Sequence, residues 1–324
     1  MSADKLKTKS GTSANSKLII VVIAVIAAFI ILNVISGGKV LSINNIDAIV
    51  SAAVVPTLTA FGFLIIFTCN VTDLSPGSIV ILTSTAAGII ANAYGIPAAI
   101  IGCVVLGILC MVFNFTVYRI TKVPPWIAAL GMTMVYESFG VMYANYCASK
   151  GEKIVVMEQS LRFLGHKPGI YVCGLIGIII AYIIFNKTSI GINFRATGDN
   201  EDVAKVMGIN VDKALILGGV IAGAFFGYAG VVQESYAGFV YAMSGLTSLS
   251  TTFQPMAAAL LALALANYIN AVIAVPISTI LITAVFNVLT IFGVPSGTFQ
   301  NAILGLIVIF FAILAQRNVK GVVK

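Results

Sequence analysis

The sequence predicts an all-α polytopic membrane protein with about ten spans, and three observations carry that prediction. First, 60% of the 324 residues are hydrophobic and only 9% are charged, too few charges to cover a soluble domain of this length. Second, runs of Ile, Val, Leu and Ala recur along the whole chain at the roughly 20-residue length a membrane helix requires. Third, one strongly polar stretch, residues 187–213 (KTSIGINFRATGDNEDVAKVMGINVDK), interrupts them. It holds Asp199, Glu201, Asp202 and Asp212 beside Lys187, Arg195, Lys205 and Lys213. A charged, partly helical loop on one face of such a protein is a surface for a soluble partner.

Residues 1–17 form a basic, small-residue tail with Lys5, Lys7, Lys9 and Lys17. The apolar run from Leu18 to Ile35 follows; it is long enough to span and lacks a convincing cleavage site, so it reads as an uncleaved first helix. Spans are expected near 18–36, 47–69, 77–94, 97–118, 125–145, 169–186, 213–233, 254–271, 275–293 and 300–316, making 18–316 one membrane domain. An even number puts both termini on one side. The bases cluster in the tail, at Arg119 and Lys122, in the 187–213 loop and at the 317–324 end (Arg317, Lys320, Lys324), which places these segments in the cytoplasm. The net charge of +7 therefore reflects topology and not nucleic-acid binding.

Three acids fall at positions where a bilayer would penalise them. In NVTDLSPG, residues 70–77, Asp73 or Ser75 can cap the third helix, with Pro76 early in it; the residues leave open a simple turn or a broken helix facing protein or a water-filled path. Glu137 lies inside the fifth span at an insertion cost of about 3 kcal/mol, so it faces the bundle, a cavity or a partner subunit. Glu234, with Gln233, Tyr236, Phe239 and Tyr241, closes the seventh span; such aromatics stack on a solute or anchor a helix at the interface. Asp73, Ser75, Glu137 and Glu234 are thus the candidates for a translocation path. In the seventh span Gly219, Gly223 and Gly227 share one face, which lets another helix approach closely.

Enzymatic readings fail. The sequence has no phosphate-binding GxxxxGK[ST], no HExxH and no GxSxG. Its single histidine, His166, sits in the polar segment from Tyr146 to Pro168. The five cysteines (Cys69, Cys103, Cys110, Cys147, Cys173) show no paired ligand spacing, so neither a metal nor a disulfide framework is expected.

Three stretches resemble the membrane permeases of bacterial ATP-binding cassette (ABC) importers for ribose, xylose, galactose and similar solutes. NVTDLSPGSIVILTSTAAG is similar to that family's Asp-Leu-Ser-x-Gly-Ser signature, TKVPPWIAALGMTM to its proline-pair segment, and GINFRATGDNEDVAKVMGINVDK to its cytoplasmic coupling segment. With the closing IFGVPSGTFQNAILGLIVI, the likeness covers most of residues 45–315. It implies a type II-like importer architecture. Two permeases would work with two ATP-hydrolysing subunits, which carry the ATP and Mg, and with an extracytoplasmic solute-binding protein; this chain would bind no cofactor. A coupling helix from about Thr197 to Ile209 would sit in a groove of the ATPase, with Arg195 just before it. Gly198 and Asn200 would shape its start, Asp199, Glu201 and Asp202 would lie near its positive end, and Val203, Val206 and Met207, ahead of Gly208 and Ile209, would make apolar contacts.

The family's glycine-rich stretch between spans eight and nine is replaced here by LALALANYINAVIAVP. That departure leads to the expectation of a second, different permease in place of a symmetric homodimer. The transported solute is expected to be a monosaccharide, with a nucleoside or other small polar solute as the alternative. An ion-coupled secondary transporter would have to use Asp73 and Glu137.

Overall fold

A computed structural model describes residues 14–151, 154–240, 244–294 and 297–316. The basic residues of both chain ends (Lys5, Lys7, Lys9; Arg317, Lys320, Lys324), as well as Glu152, Lys153 and Tyr241, lie outside the described residues. In order come α1 (Ala14–Ile35), α2 (Ile43–Thr68), α3 (Pro76–Tyr94), α4 (Ile96–Thr121), α5 (Pro125–Ser149), a short 3-10 helix (Gln159–Leu164), α6 (Gly169–Lys187), α7 (Ser189–Asp199), α8 (Glu201–Val206), α9 (Val211–Ala237), α10 (Leu249–Leu265), α11 (Ala271–Ile291) and α12 (Thr298–Gln316). Among the described residues, eight of these helices are long and apolar enough to cross a membrane, and stretches of α10 and α12 are shorter apolar helices. Every expected span therefore has its helix.

Residues 187–213 mark one end of the bundle, the loop face. The end of α2 meets α7 there, Arg119 at the end of α4 pairs with Asp212, and Asn186 exchanges side-chain hydrogen bonds with Asn270. At the far face, Lys167 pairs with Asp47 and Asn45 with Asn287.

The helix α2 is the centre: 83% of its apolar window is buried, against 6% for that of α1. Aromatic rings join it to α9, with Phe61 on Phe225 at 5.6 Å and Phe63 on Phe226 at 6.0 Å between centroids. On α9, Gly219 faces the Phe115 ring, Gly223 the Gly107 carbonyl and Gly227 the Cys103 carbonyl of α4, and in each case a Cβ would collide. The glycine face thus brings two helix backbones into direct contact. Lipid tails are as apolar as leucine, so such close packing is what holds helices together in a membrane.

One helix is displaced from its expected position. The eighth span was expected over 254–271, but α10 covers 249–265. Its early end follows from Asn270, whose side chain accepts from the Val272 N–H and caps α11, so the chain must turn before it. Its early start follows from Glu137, as described below.

Candidate functional site

The loop-face segment is two helices, not the single one expected from Thr197 to Ile209. Asn200 is extended (φ −164°, ψ 111°) and its side chain accepts from the N–H groups of Asp202 and Val203 at 2.9 and 3.1 Å, a helix N-cap that ends α7 and starts α8. Glu201 and Asp202 occupy the first turn of α8, where acids favour the positive dipole end. Gly208 (φ +82°) closes it, with the Ile209 N–H returning to the Ala204 carbonyl at 3.0 Å, as a left-handed glycine cap does.

Thr197 and Gly198 belong to α7 and point inward. Thr197 is 1% exposed, and a Cβ on Gly198 would overlap the Thr68 carbonyl at the end of α2. Arg195 donates to the Phe185 carbonyl at 3.1 Å and lies over the Phe185 ring, fastening α7 to the end of α6. Asp199 ends α7 and is exposed. The outer surface of α8 differs in kind: Val203 is 53%, Val206 90% and Met207 70% exposed, flanked by exposed Glu201, Asp202 and Lys205. Charged neighbours place this turn in water, so the apolar trio is an exposed apolar patch and not a lipid-facing one.

A cavity of about 230 Å³ opens between α2, α3, α9 and α10. Its polar lining is Thr59, Gln233, Thr251 and Gln254, with the Gly77 backbone, and among the described residues no ionisable side chain lines it. Pro56 and Pro255 also line it, inside α2 and α10. Proline has no N–H to give the preceding turn, which leaves the carbonyls of Ala52 and Thr251 without that helical partner. The size sits below the roughly 300–1,000 Å³ of drug-sized sites, and the chemistry is that of hydroxyls, amides and carbonyls.

None of the four acids and hydroxyls expected along a path lines this cavity; each is buried beside it, and Asp73, Ser75 and Glu137 are spent on protein partners. Asp73 is 0% exposed. It accepts from the Ser75 N–H at 2.7 Å, the Asn114 amide at 3.2 Å and the Tyr118 hydroxyl at 2.6 Å. The Asn114 amide also donates to the Ser75 hydroxyl at 2.7 Å, and Tyr136 donates to the Asn114 oxygen at 2.7 Å. Residues 69–75 therefore form an ordered break between α2 and α3, pinned by α4 and α5. Glu137, midway along α5, accepts from the Leu246 N–H and from both the N–H and hydroxyl of Ser248, at 2.8, 2.8 and 2.6 Å. The carboxylate thus takes up free amides at the start of α10, which begins beside the middle of a membrane-length helix; this is why α10 starts at 249. Buried amides in such a place must find an acceptor within the protein.

Glu234, 1% exposed, packs against Gly88, and among the described residues its Oε2 has no hydrogen-bond partner. Beside it, Arg162 donates to the carbonyls of Ser235 and Tyr236 at 3.1 and 2.8 Å. Tyr236 and Phe239 are exposed at the far face, and the ring Nδ1 of His166, exposed too, lies 2.9 Å from the Arg162 carbonyl. The sequence reading missed Asn114 and Tyr118; both lie four residues apart on α4, and their polar atoms in an apolar run were the available signal. Among the described residues no group of three or more His, Cys, Asp or Glu is placed to hold a metal.

Residues 45–312 match the family described as the branched-chain amino acid transport system / permease component. The chain belongs to that family. This permease match takes in the cavity, both buried clusters and helices α7 and α8, and it leaves out α1. The chain is 26% identical over 237 residues to the autoinducer 2 import system permease protein LsrC of Salmonella typhi, covering 71% of this chain and 67% of that one. It is 30% identical over 225 residues to the fructose import permease protein FrcC of Rhizobium meliloti, covering 66% and 61%. A third permease, LsrC of Shigella flexneri, is 27% identical over 235 residues, 71% and 68% of the two chains. The chain thus spans about three-fifths to two-thirds of the length of the permeases it matches. No solved structure matches.

Proposed function

We propose that this permease is the membrane-spanning subunit of an ABC importer in the bacterial cell membrane, with the loop face and both termini cytoplasmic. An ATP-hydrolysing partner docks on α8, and the small solute passing through the chain is uncharged and sugar-like. The observation that carries the reading is the exposed Val203, Val206 and Met207 surface on a capped, charged helix at the loop face. ATP and Mg belong to the partner. The cavity supports the solute class: a lining without charge suits hydroxyls, whereas the ammonium and carboxylate of an amino acid would enter it unpaired at a cost of several kcal/mol. The transport permeases LsrC and FrcC, named for autoinducer 2 and fructose, point the same way. An extracytoplasmic binding protein delivers the solute, and a second permease completes the complex.

The test is the double substitution Val206→Asp with Met207→Asp. Both side chains are more than two-thirds exposed, so folding should change by no more than about 0.5 kcal/mol each. Loss of central apolar contacts weakens a docking surface by about 2 kcal/mol or more, roughly thirtyfold in affinity. The expected result is a folded permease that no longer retains its ATPase on purification and no longer imports. Retention of the ATPase would overturn the docking assignment. Mass spectrometry of the unaltered complex reads one permease or two directly.

A further inference from the structure

We propose that the buried cluster Asp73, Ser75, Asn114, Tyr118 and Tyr136 is the link through which movement of α7 and α8 reaches the cavity wall; this rests on the importer reading above. The route is continuous. At the loop face, Gly198 of α7 lies on the Thr68 carbonyl with no room for a Cβ. After α2, Asn70 takes a left-handed conformation (φ 57°), its N–H held by the Phe67 carbonyl at 2.9 Å. Three residues on, Asp73 ties the break to α4 through Asn114 and Tyr118.

From Ser75 the chain enters α3 at Pro76. The next residue, Gly77, donates its N–H to the Thr252 hydroxyl at 3.1 Å, and a Cβ there would overlap the Ser248 carbonyl. Gly77 and Thr251 are both part of the cavity wall. The far side of the same contact is Ser248, held by Glu137. Glu137 follows Tyr136 directly on α5, so one helix turn grips both the Asp73 cluster and the start of α10.

Every step is either backbone against backbone or a hydrogen bond between buried groups. Contacts of that kind have few alternative arrangements, so a displacement at α7 must be passed on or must break the route. Asp73 touches neither solute nor ATPase. It acts as a positioning residue, holding the α2–α3 break rigid between them.

The experiment uses the complete importer, with its ATPase and binding protein, in proteoliposomes, and it measures solute moved per ATP hydrolysed. Asp73→Asn keeps the shape of the side chain but presents an amide where the cluster supplies donors. Tyr118→Phe deletes one hydroxyl and keeps the ring. Tyr228→Phe, whose hydroxyl contacts the Cys173 carbonyl off the route, is the matched control. Both route variants are expected to hydrolyse ATP at near wild-type rates while the transport-to-ATP ratio falls roughly tenfold; Tyr228→Phe keeps the wild-type ratio. A wild-type ratio in Tyr118→Phe would overturn the proposal, including where Asp73→Asn fails to assemble. An equal fall in all three variants would overturn it as well, because it would show a general packing effect. If the wild-type chain retains no ATPase, the importer reading fails, and the link fails with it.

Discussion

Gly227→Ala should leave little folded protein. The added methyl would overlap the Cys103 carbonyl and approach the backbone of Val104, and the neighbouring Gly223 and Gly107 allow no compensating slide because each already rests on the other helix. Overpacking in a core costs about 1–3 kcal/mol when side chains can yield. Here both sides of the contact are main chain, so the cost should reach or exceed the upper figure, a large share of the roughly 5–15 kcal/mol that holds a domain folded. The control is Gly131→Ala in α5, where nothing lies within 4 Å of the new Cβ and helix propensity favours alanine by about 1 kcal/mol. Thermal unfolding in detergent, with the monodisperse fraction on size exclusion, should separate the two. Equal stability would mean that α4 and α9 do not cross where these glycines meet.

At Glu137 the expected order of stability is wild type, then Glu137→Gln, then Glu137→Ala. Alanine abandons the partly buried Leu246 N–H and the buried N–H and hydroxyl of Ser248 at the start of α10, and each buried donor left unsatisfied costs about 1–3 kcal/mol. A negative group at a helix N-terminus is itself worth roughly 0.3–1 kcal/mol. Glutamine retains one acceptor oxygen but turns its NH2 toward a donor, so it should recover part of the loss. The same thermal measurement reads the order. A Glu137→Ala protein as stable as wild type would show that the start of α10 is held by other means, and Glu137 would return to the path candidates. Import should follow the same order, because Thr251 and Gln254 on α10 form part of the cavity.

What the sequence disclosed follows from which physics acts locally. Apolar runs of bilayer length have one stable solution, so the helices were predictable one by one. The Gly219–Gly223–Gly227 face announced a close approach because that spacing repeats once per turn. Asn200 followed by two acids was a readable start for α8, although the extended conformation of Asn200, which splits the expected coupling helix, was not foreseen. The acids were harder. Asp73 finds its partners on α4 and Glu137 on the start of α10, 41 to 111 residues away, and no local pattern encodes a pairing across such distances. A buried acid in a membrane protein announces that it needs partners; it does not say whether they are solute or protein. The cavity was hidden for a related reason: Thr59, Gln233, Thr251 and Gln254 come from three helices, and each alone is an unremarkable polar residue.

The near-isolation of α1 has an evolutionary consequence. With 6% of its window buried, it leaves nearly all of its surface to whatever apolar surround the bilayer supplies, and acyl chains distinguish isoleucine from leucine or valine hardly at all. Selection can then see its length and its greasiness but not the order of its residues. Such a helix should tolerate exchanges among apolar residues, while α2, whose surface is locked against its neighbours, should not. The family match begins at residue 45, just inside α2.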